Sequence, residues 1–355
     1  MRKYLSAALL LAAAFLFQVP DSVAQSSVVD VPRGSQHAVV MQRIGITNIT
    51  INYHRPLVNK RKVWGGLVPF GQVWRAGANE NTTIEFTDAV TVEGQPLAKG
   101  TYGLHMVPGE TDWTVIFSKN SVSWGSFSYD QSEDALRVTV KSHPDEFHNA
   151  LTYDFDDLAP NSTVVTMRWD KVAVPFKVEA NVTDIVQASL RNQLRGRAQY
   201  EWEGWEDAAE YLLDNKLSPE DALKYANNSI QVEDRFENQI SKYRALTALN
   251  RNDEAAAARK HAFEIGSANQ IHGFGRQLQQ QGKQDQAFEV FRANIKKNPN
   301  HWTSHSELAR IACSTGDFDT AVKEMKLAVA VAPDQIKAPL EGLVKRLEQK
   351  QDINK

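Results

Sequence analysis

The period of the hydrophobic pattern changes once along this chain, and that change divides it into two kinds of structure. From about residue 36 to 180 apolar and polar residues alternate, the two-residue period of a strand with one buried face. Ile44, Ile46, Ile49 and Ile51 lead to Tyr53, and the segments Thr83–Phe86 and Ala89–Val92 follow. In Thr101–Val107, Tyr102, Leu104 and Met106 share one face, while Gly103, His105 and Val107 take the other. That alternation predicts a half-exposed His105. Further candidates are Leu136–Val140, Leu151–Phe155, Val164–Trp169 and Val174–Val178, with turns at Glu93-Gly94-Gln95-Pro96 and Pro108-Gly109-Glu110. Roughly nine short strands separated by turn residues predict an antiparallel β-sandwich-like domain.

From about residue 184 the period becomes helical. Val186, Leu190 and Leu194 recur at helix spacing, as do Trp205, Ala208, Ala209, Leu212 and Leu213. Ser218-Pro219-Glu220-Asp221 reads as a helix start, with a capping hydroxyl, Pro in the first turn and acids at the positive dipole end. Near the end a repeat is visible. Phe274 and Leu308, Gly275 and Ala309, Gly282 and Gly316, Asp285 and Asp319, Ala287 and Ala321, Phe291 and Met325, and Pro299 and Pro333 are each 34 residues apart. Two helices, a Gly-containing turn and a closing Pro at this period resemble the tetratricopeptide repeat. The best units are about 268–301 and 302–335, and Ile271 and His305 stand where the repeat usually has Trp. Ala222 and Ala255 are candidate counterparts upstream. One helix pair cannot bury its own face, so three or more pairs are expected. The tail from Ile336 is expected to form a capping helix and then fray.

The fold class that follows is multidomain, all-β then all-α: a β-sandwich-like domain over 25–181 and a tetratricopeptide-like solenoid over 184–349. A chain of 355 residues suits two domains, because single cores stop growing at about 250–300 residues. Residues 1–24 read as a signal peptide. Arg2 and Lys3 precede an apolar run from Leu5 to Phe17, and Ser22-Val23-Ala24 supplies small residues for cleavage before Gln25. The run is short for a span, which needs about 20 residues. Cys313 is the only cysteine, so neither a lipidated cysteine after the signal nor an intramolecular disulfide is available. A soluble periplasmic or secreted product without stable membrane insertion is expected. The net charge of −3 gives no electrostatic reason to expect nucleic acid.

Between the β-like segments lies Trp64–Glu80, W-G-G-L-V-P-F-G-Q-V-W-R-A-G-A-N-E, too rich in Gly and Pro for a strand or helix. Together with Tyr53-His54-Arg55-Pro56, Gly100-Thr101-Tyr102, Trp113–Phe117 and Val174-Pro175-Phe176, it resembles the bacterial family known as domain of unknown function 2911. The resemblance covers about 26–180, and W-R-x-G-A-N-E is its specific core. It implies an export signal and, in some members, a helical continuation with tetratricopeptide-like repeats. It implies no catalytic residues.

Trp64, Trp74, Arg75, Asn79 and Glu80, with His105, are the candidate ligand-binding residues. Aromatic faces suit sugar rings or cations, and Arg and Asn offer fixed donors. The competing reading is structural: Arg75 pairs with Glu80 or another acid while the tryptophans pack the loop onto the domain. His37, His54 and His105 lack a metal-binding spacing. Asp154, Asp156 and Asp157 lack the pattern of a calcium loop and read as charges on a strand edge. Cys313 reads as a small buried residue, and Trp124-Gly125-Ser126 lacks the nucleophile elbow. No catalytic, metal or cofactor constellation is assigned. The expectation is an exported, non-enzymatic binding or scaffold protein of the bacterial envelope, with protein or peptide partners on the repeats. A carbohydrate or other small molecule at the β-domain is the possible further partner. The alternative is an envelope enzyme or carbohydrate-binding module using the Trp64–Glu80 loop.

Overall fold

The computed structural model describes residues 31–354, so the expected signal segment lies outside the described residues. The chain forms two compact units, divided between Ala188 and Ser189.

The first unit holds two antiparallel sheets. The larger runs, in spatial order, β1 (Gln36–Ile44), β2 (Thr47–Arg55), β3 (Thr83–Phe86), β6 (Gly100–Val107), β7 (Asp112–Ser118) and β8 (Asp134–Lys141). The smaller runs β5 (Gln95–Leu97), β4 (Val90–Val92), β10 (Ser162–Glu179) and β9 (His143–Ala159). One apolar core draws on both: Ile49, Ile51 and Tyr53 from β2, Leu104 and Met106 from β6, and Met167, Trp169 and Phe176 from β10. Alternation places these residues on one face of each strand, so each strand contributes every second side chain to the core.

Two details depart from the sequence reading. The isoleucine run is a hairpin, because Gly45 turns at φ +57° between β1 and β2. The segments Val164–Trp169 and Val174–Val178 are one strand. Its register against β9 shifts around Asp170, which adopts a left-handed φ of +56°. A bulge of this kind restarts the alternation, and so mimics a strand end in sequence.

The second unit is a run of helix pairs. After α1 (Val182–Gln193), which spans the division, come α2 (Trp202–Asp214) with α3 (Pro219–Val232), and α4 (Phe236–Ala248) with α5 (Asn252–Ile265). Then follow α6 (Ala268–Gln280) with α7 (Gln284–Lys297), α8 (Trp302–Ser314) with α9 (Phe318–Val331), and the final α10 (Asp334–Glu348). First helices also touch one another, α2 against α4 and α6 against α8, as stacked repeats require. Ser218 caps α3 as expected, its hydroxyl accepting from the Asp221 N–H. Gly282 and Gly316, at φ +74° and +78°, make the equivalent turns of the two best repeats. Ala287, Phe291, Ala309, Ala321 and Met325 are fully buried between helices.

The tail does not fray. Ile353 is 1% exposed, and its carbonyl accepts from Arg310 Nη1 at 2.5 Å. Asn354 Nδ2 donates to the Arg310 carbonyl at 3.0 Å. Cys313 is buried beside this tail, its thiol 3.6 Å from Asp352 Oδ1.

Candidate functional site

The loop Trp64–Glu80 splits into two parts with different surroundings. Trp64 and Trp74 belong to a cluster of four tryptophans. The Trp64 ring meets Trp74, Trp113 and Trp169 edge-on at centroid distances of 5.8, 4.9 and 5.6 Å, and Trp74 stacks on Trp169 at 5.9 Å. Trp74 also pairs its backbone with Met106, N–H and C=O each at 2.8 Å, extending the β6 pairing past the end of β3. Both tryptophans therefore hold the loop on the core. Ala76 follows at φ +51°, fully buried, its carbonyl accepting from the Tyr153 hydroxyl at 2.8 Å. Asn79 is also left-handed, at φ +56°, and its Nδ2 donates to the Ser35 carbonyl at 3.1 Å. Non-glycine residues in this region cost of order 1 kcal/mol or more, and such strain concentrates at working sites.

The second part faces the opposite side of the larger sheet. Glu80, 8% exposed, lies 3.1 Å from Arg33 Nη1 and 3.3 Å from His54 Nε2. Burial holds His54 below its ordinary range, more than the attraction of Glu80 raises it. His54 is thus uncharged at neutral pH, and Arg33 is the charged partner of Glu80. His37 stands beside His54, ring to ring at 5.2 Å, with Nε2 2.6 Å from Asn52 Oδ1.

Arg75 makes no ion pair among the described residues, and its buried Nε has no hydrogen-bond partner there. Burial lowers its affinity for a proton, opposed by nearby Glu80. Its guanidinium lies against Gly125, where a Cβ would come within 2.4 Å of Nη1. The expected pairing of Arg75 with Glu80 is replaced by that of Glu80 with Arg33.

His105 is 1% exposed, not half-exposed. The segment 119–130 covers it: Nδ1 lies 2.9 Å from Ser126 Oγ, and the Tyr129 ring stands 5.5 Å away. Burial pushes its pKa down to about 4. It sits two strands from His54, with β3 between, so the three histidines do not converge. Asn81, which sequence reading passed over, reaches the same cover through Nδ2 to Ser123 Oγ at 3.4 Å. Buried, unpaired polar atoms gather here: His54 Nδ1, Arg75 Nε, Asn81 Oδ1 and Thr82 Oγ1, while Glu80 Oε2 has only the 3.3 Å contact with His54 Nε2. Three of the four aspartates of β9 are tied to Arg168, which reaches Asp145, Asp154 and Asp156 at 3.2, 3.3 and 2.6 Å; Asp157 is not among them. Among the described residues no group of three or more His, Cys, Asp or Glu is placed to hold a metal.

The second unit has a cleft of about 280 Å³ between α2, α4 and α6. Its lining repeats with the period of the array. Trp202, Glu203, Glu206, Asp207 and Glu210 of α2 stand 34 residues before Phe236, Glu237, Ile240, Ser241 and Arg244 of α4. Phe274 of α6 stands 34 after Ile240. This upstream unit lacks the glycines and prolines that mark the later ones, and the sequence pattern points only to Ala222 and Ala255 as counterparts. Glu206 is 7% exposed; Oε1 accepts from Ser241 Oγ at 2.6 Å, and Oε2 has no partner. Burial raises its pKa to about 7.

An antiparallel two-sheet domain followed by tetratricopeptide-like helical repeats is the class this geometry defines. Residues 35–178 match the family described as a protein of unknown function, DUF2911. No curated protein matches the chain. Among solved structures, the crystal structure of the APC/C hetero-tetramer Cut9-Hcn1 aligns at 15% identity and a TM-score of 0.29, over 46% of this chain and 32% of that one. The chain thus spans about a third of the length of that solved relative.

Proposed function

We propose that this chain is an exported, non-enzymatic binding or scaffold protein of the bacterial envelope, whose helical repeats hold a partner polypeptide. The observation that carries this reading is the cleft along the first helices α2, α4 and α6, lined at the same positions in successive repeats. Lining positions repeated at one spacing along stacked helices, with the chemistry kept at Trp202/Phe236 and Glu203/Glu237 and varied at the rest, suit an extended chain better than a compact small molecule. Export is supported by Arg2 and Lys3, the apolar run Leu5–Phe17 and the small residues Ser22–Ala24.

Two measurements test it. N-terminal sequencing of the mature protein should begin at Gln25, and retention of Met1 on exported protein would reject the cleaved signal. Pull-down with the full-length chain from envelope extract should retain a protein that is lost when Asp207 in the cleft is replaced by Lys. A partner retained equally by both would place the contact elsewhere.

A second reading, a small polar ligand such as a carbohydrate on the β unit, is favoured by the unpaired buried atoms around Arg75 and Glu80. Binding to a glycan array that disappears in Arg75→Ala, with thermal stability kept, supports it. Lost stability with unchanged binding leaves Arg75 a purely structural role.

A further inference from the structure

The cleft between α2, α4 and α6 has a marked charge. Glu203, Glu206, Asp207 and Glu210 line it from α2 and Glu237 from α4, against one cation, Arg244. Arg244 is already paired with Asp214. Glu237 Oε1 accepts from Gln270 Nε2 at 2.8 Å. Glu203, Asp207 and Glu210 are exposed. A row of acids on a helix is ordinarily a solvated face. Glu206 is what sets this one apart: it is 7% exposed, it lines the cleft, and Oε2 has no partner among the described residues. Leaving a buried carboxylate oxygen unpaired is costly, and a cation hydrogen-bonded to it removes that cost. Phe236, Ile240 and Phe274 add apolar surface beside it.

We propose that this cleft receives a lysine or arginine side chain of the partner polypeptide, its charged head paired with Glu206 Oε2 and its aliphatic stem lying along Phe236 and Phe274. The assignment rests on the binding reading above and names the chemistry of the partner. Long basic side chains bury their stems on apolar surface while the head meets a carboxylate, which is the combination the lining offers. The lining spans successive repeats, and this favours a side chain on a polypeptide over a free amine. An acidic segment would meet five like charges.

The test uses the full-length protein and fluorescence anisotropy with a short labelled alanine-based peptide carrying lysines. Its counterpart has every lysine acetylated. The lysine peptide is expected to bind, and acetylation to weaken it about tenfold or more, the scale of a hydrogen bond to a charged group. Glu206→Gln, which keeps the shape and the Ser241 bond, is expected to weaken the lysine peptide by a similar factor. Glu203→Gln combined with Glu210→Gln, both exposed and unable to disturb the core, should weaken it further. Glu341→Gln, on exposed α10 surface, should change nothing. Equal binding of the two peptides, or an unchanged affinity in Glu206→Gln, overturns the assignment. An equal loss in Glu341→Gln shows diffuse attraction and overturns it too. So does competition by free cadaverine as strong as by the peptide, which would assign a small amine instead. If the pull-down partner is lost in Asp207→Lys while the lysine peptide fails, the binding reading stands and only the cationic side chain is wrong.

Discussion

Gly275 of α6 lies directly against Phe291 of α7: a Cβ at 275 would come 2.3 Å from the Phe291 ring. Phe291 is itself fully buried, so neither the ring nor the helix has room to yield. The contact fixes how closely the two helices of that repeat approach. Two residues earlier, Gly273 faces open space, with nothing within 4 Å of its would-be Cβ.

These neighbours predict opposite signs. Gly275→Ala should destabilise by about 1–3 kcal/mol, because overpacking outweighs the helix propensity gained. Gly273→Ala should stabilise by up to about 1 kcal/mol through propensity alone. Thermal or urea unfolding followed by circular dichroism checks both, and a shift of the same sign in the two variants would contradict the packing account.

The buried group around Glu307 predicts a pH dependence. Glu307 Oε1 accepts from Asn294 Nδ2 at 2.8 Å and lies 2.9 Å from His272 Nδ1, with Arg310 and Arg276 nearby. Burial raises Glu307 from the usual 4.5 to about 8 and lowers His272 from 6.5 to about 3. The Glu307 contribution is fully present below pH 4.5 and is lost as pH rises through 8, because the native state must give up a proton it holds. The His272 contribution is present above pH 6.5 and is lost as pH falls towards 3. Between 4.5 and 6.5 the two slopes oppose each other. Urea midpoints against pH should therefore fall on the alkaline side, and Glu307→Gln should flatten that limb while leaving the acid limb.

The four-tryptophan cluster predicts that Trp74→Ala costs about 3 kcal/mol, the low end of the range for a large aromatic lost from a core, because Trp74 is only partly buried against that core. Near-ultraviolet circular dichroism should lose the coupled signal of packed indoles in the same variant. Retained stability would mean that the Trp64–Glu80 loop is not held by its tryptophans.

Removing residues 350–355 exposes the pocket filled by Ile353 and leaves Arg310 without its carbonyl partner. The loss should be about 2–4 kcal/mol, combining one buried aliphatic side chain with one unpaired charged donor. Amide exchange in α8 should rise with it; unchanged protection would restore the frayed tail read from the sequence.

Legibility followed distance along the chain. The change of period, the helix caps and the 34-residue spacing were readable because they are set by neighbours or by a fixed interval. Trp64, Trp74, Trp113 and Trp169 are far apart in sequence, and no local pattern states that they meet. His105 was read as half-exposed because alternation describes a bare sheet and is silent about the 119–130 segment laid over it. The buried tail escaped for the same reason: Ile353 is anchored by Arg310, more than forty residues earlier. The bulge at Asp170 split one strand into two apparent ones. The acids of α2 recur at helical spacing, and nothing in that spacing distinguishes buried Glu206 from exposed Asp207.

Site-specific photo-crosslinking tests the central claim most directly. A photoreactive residue at Asp207, exposed in the cleft, is compared in living cells with one at Lys260, exposed on α5. A defined protein adduct from position 207, absent from 260 and abolished by Glu206→Gln with Glu210→Gln, is the predicted result. Adducts of equal yield from both positions, or none from 207 in correctly exported protein, would contradict the account.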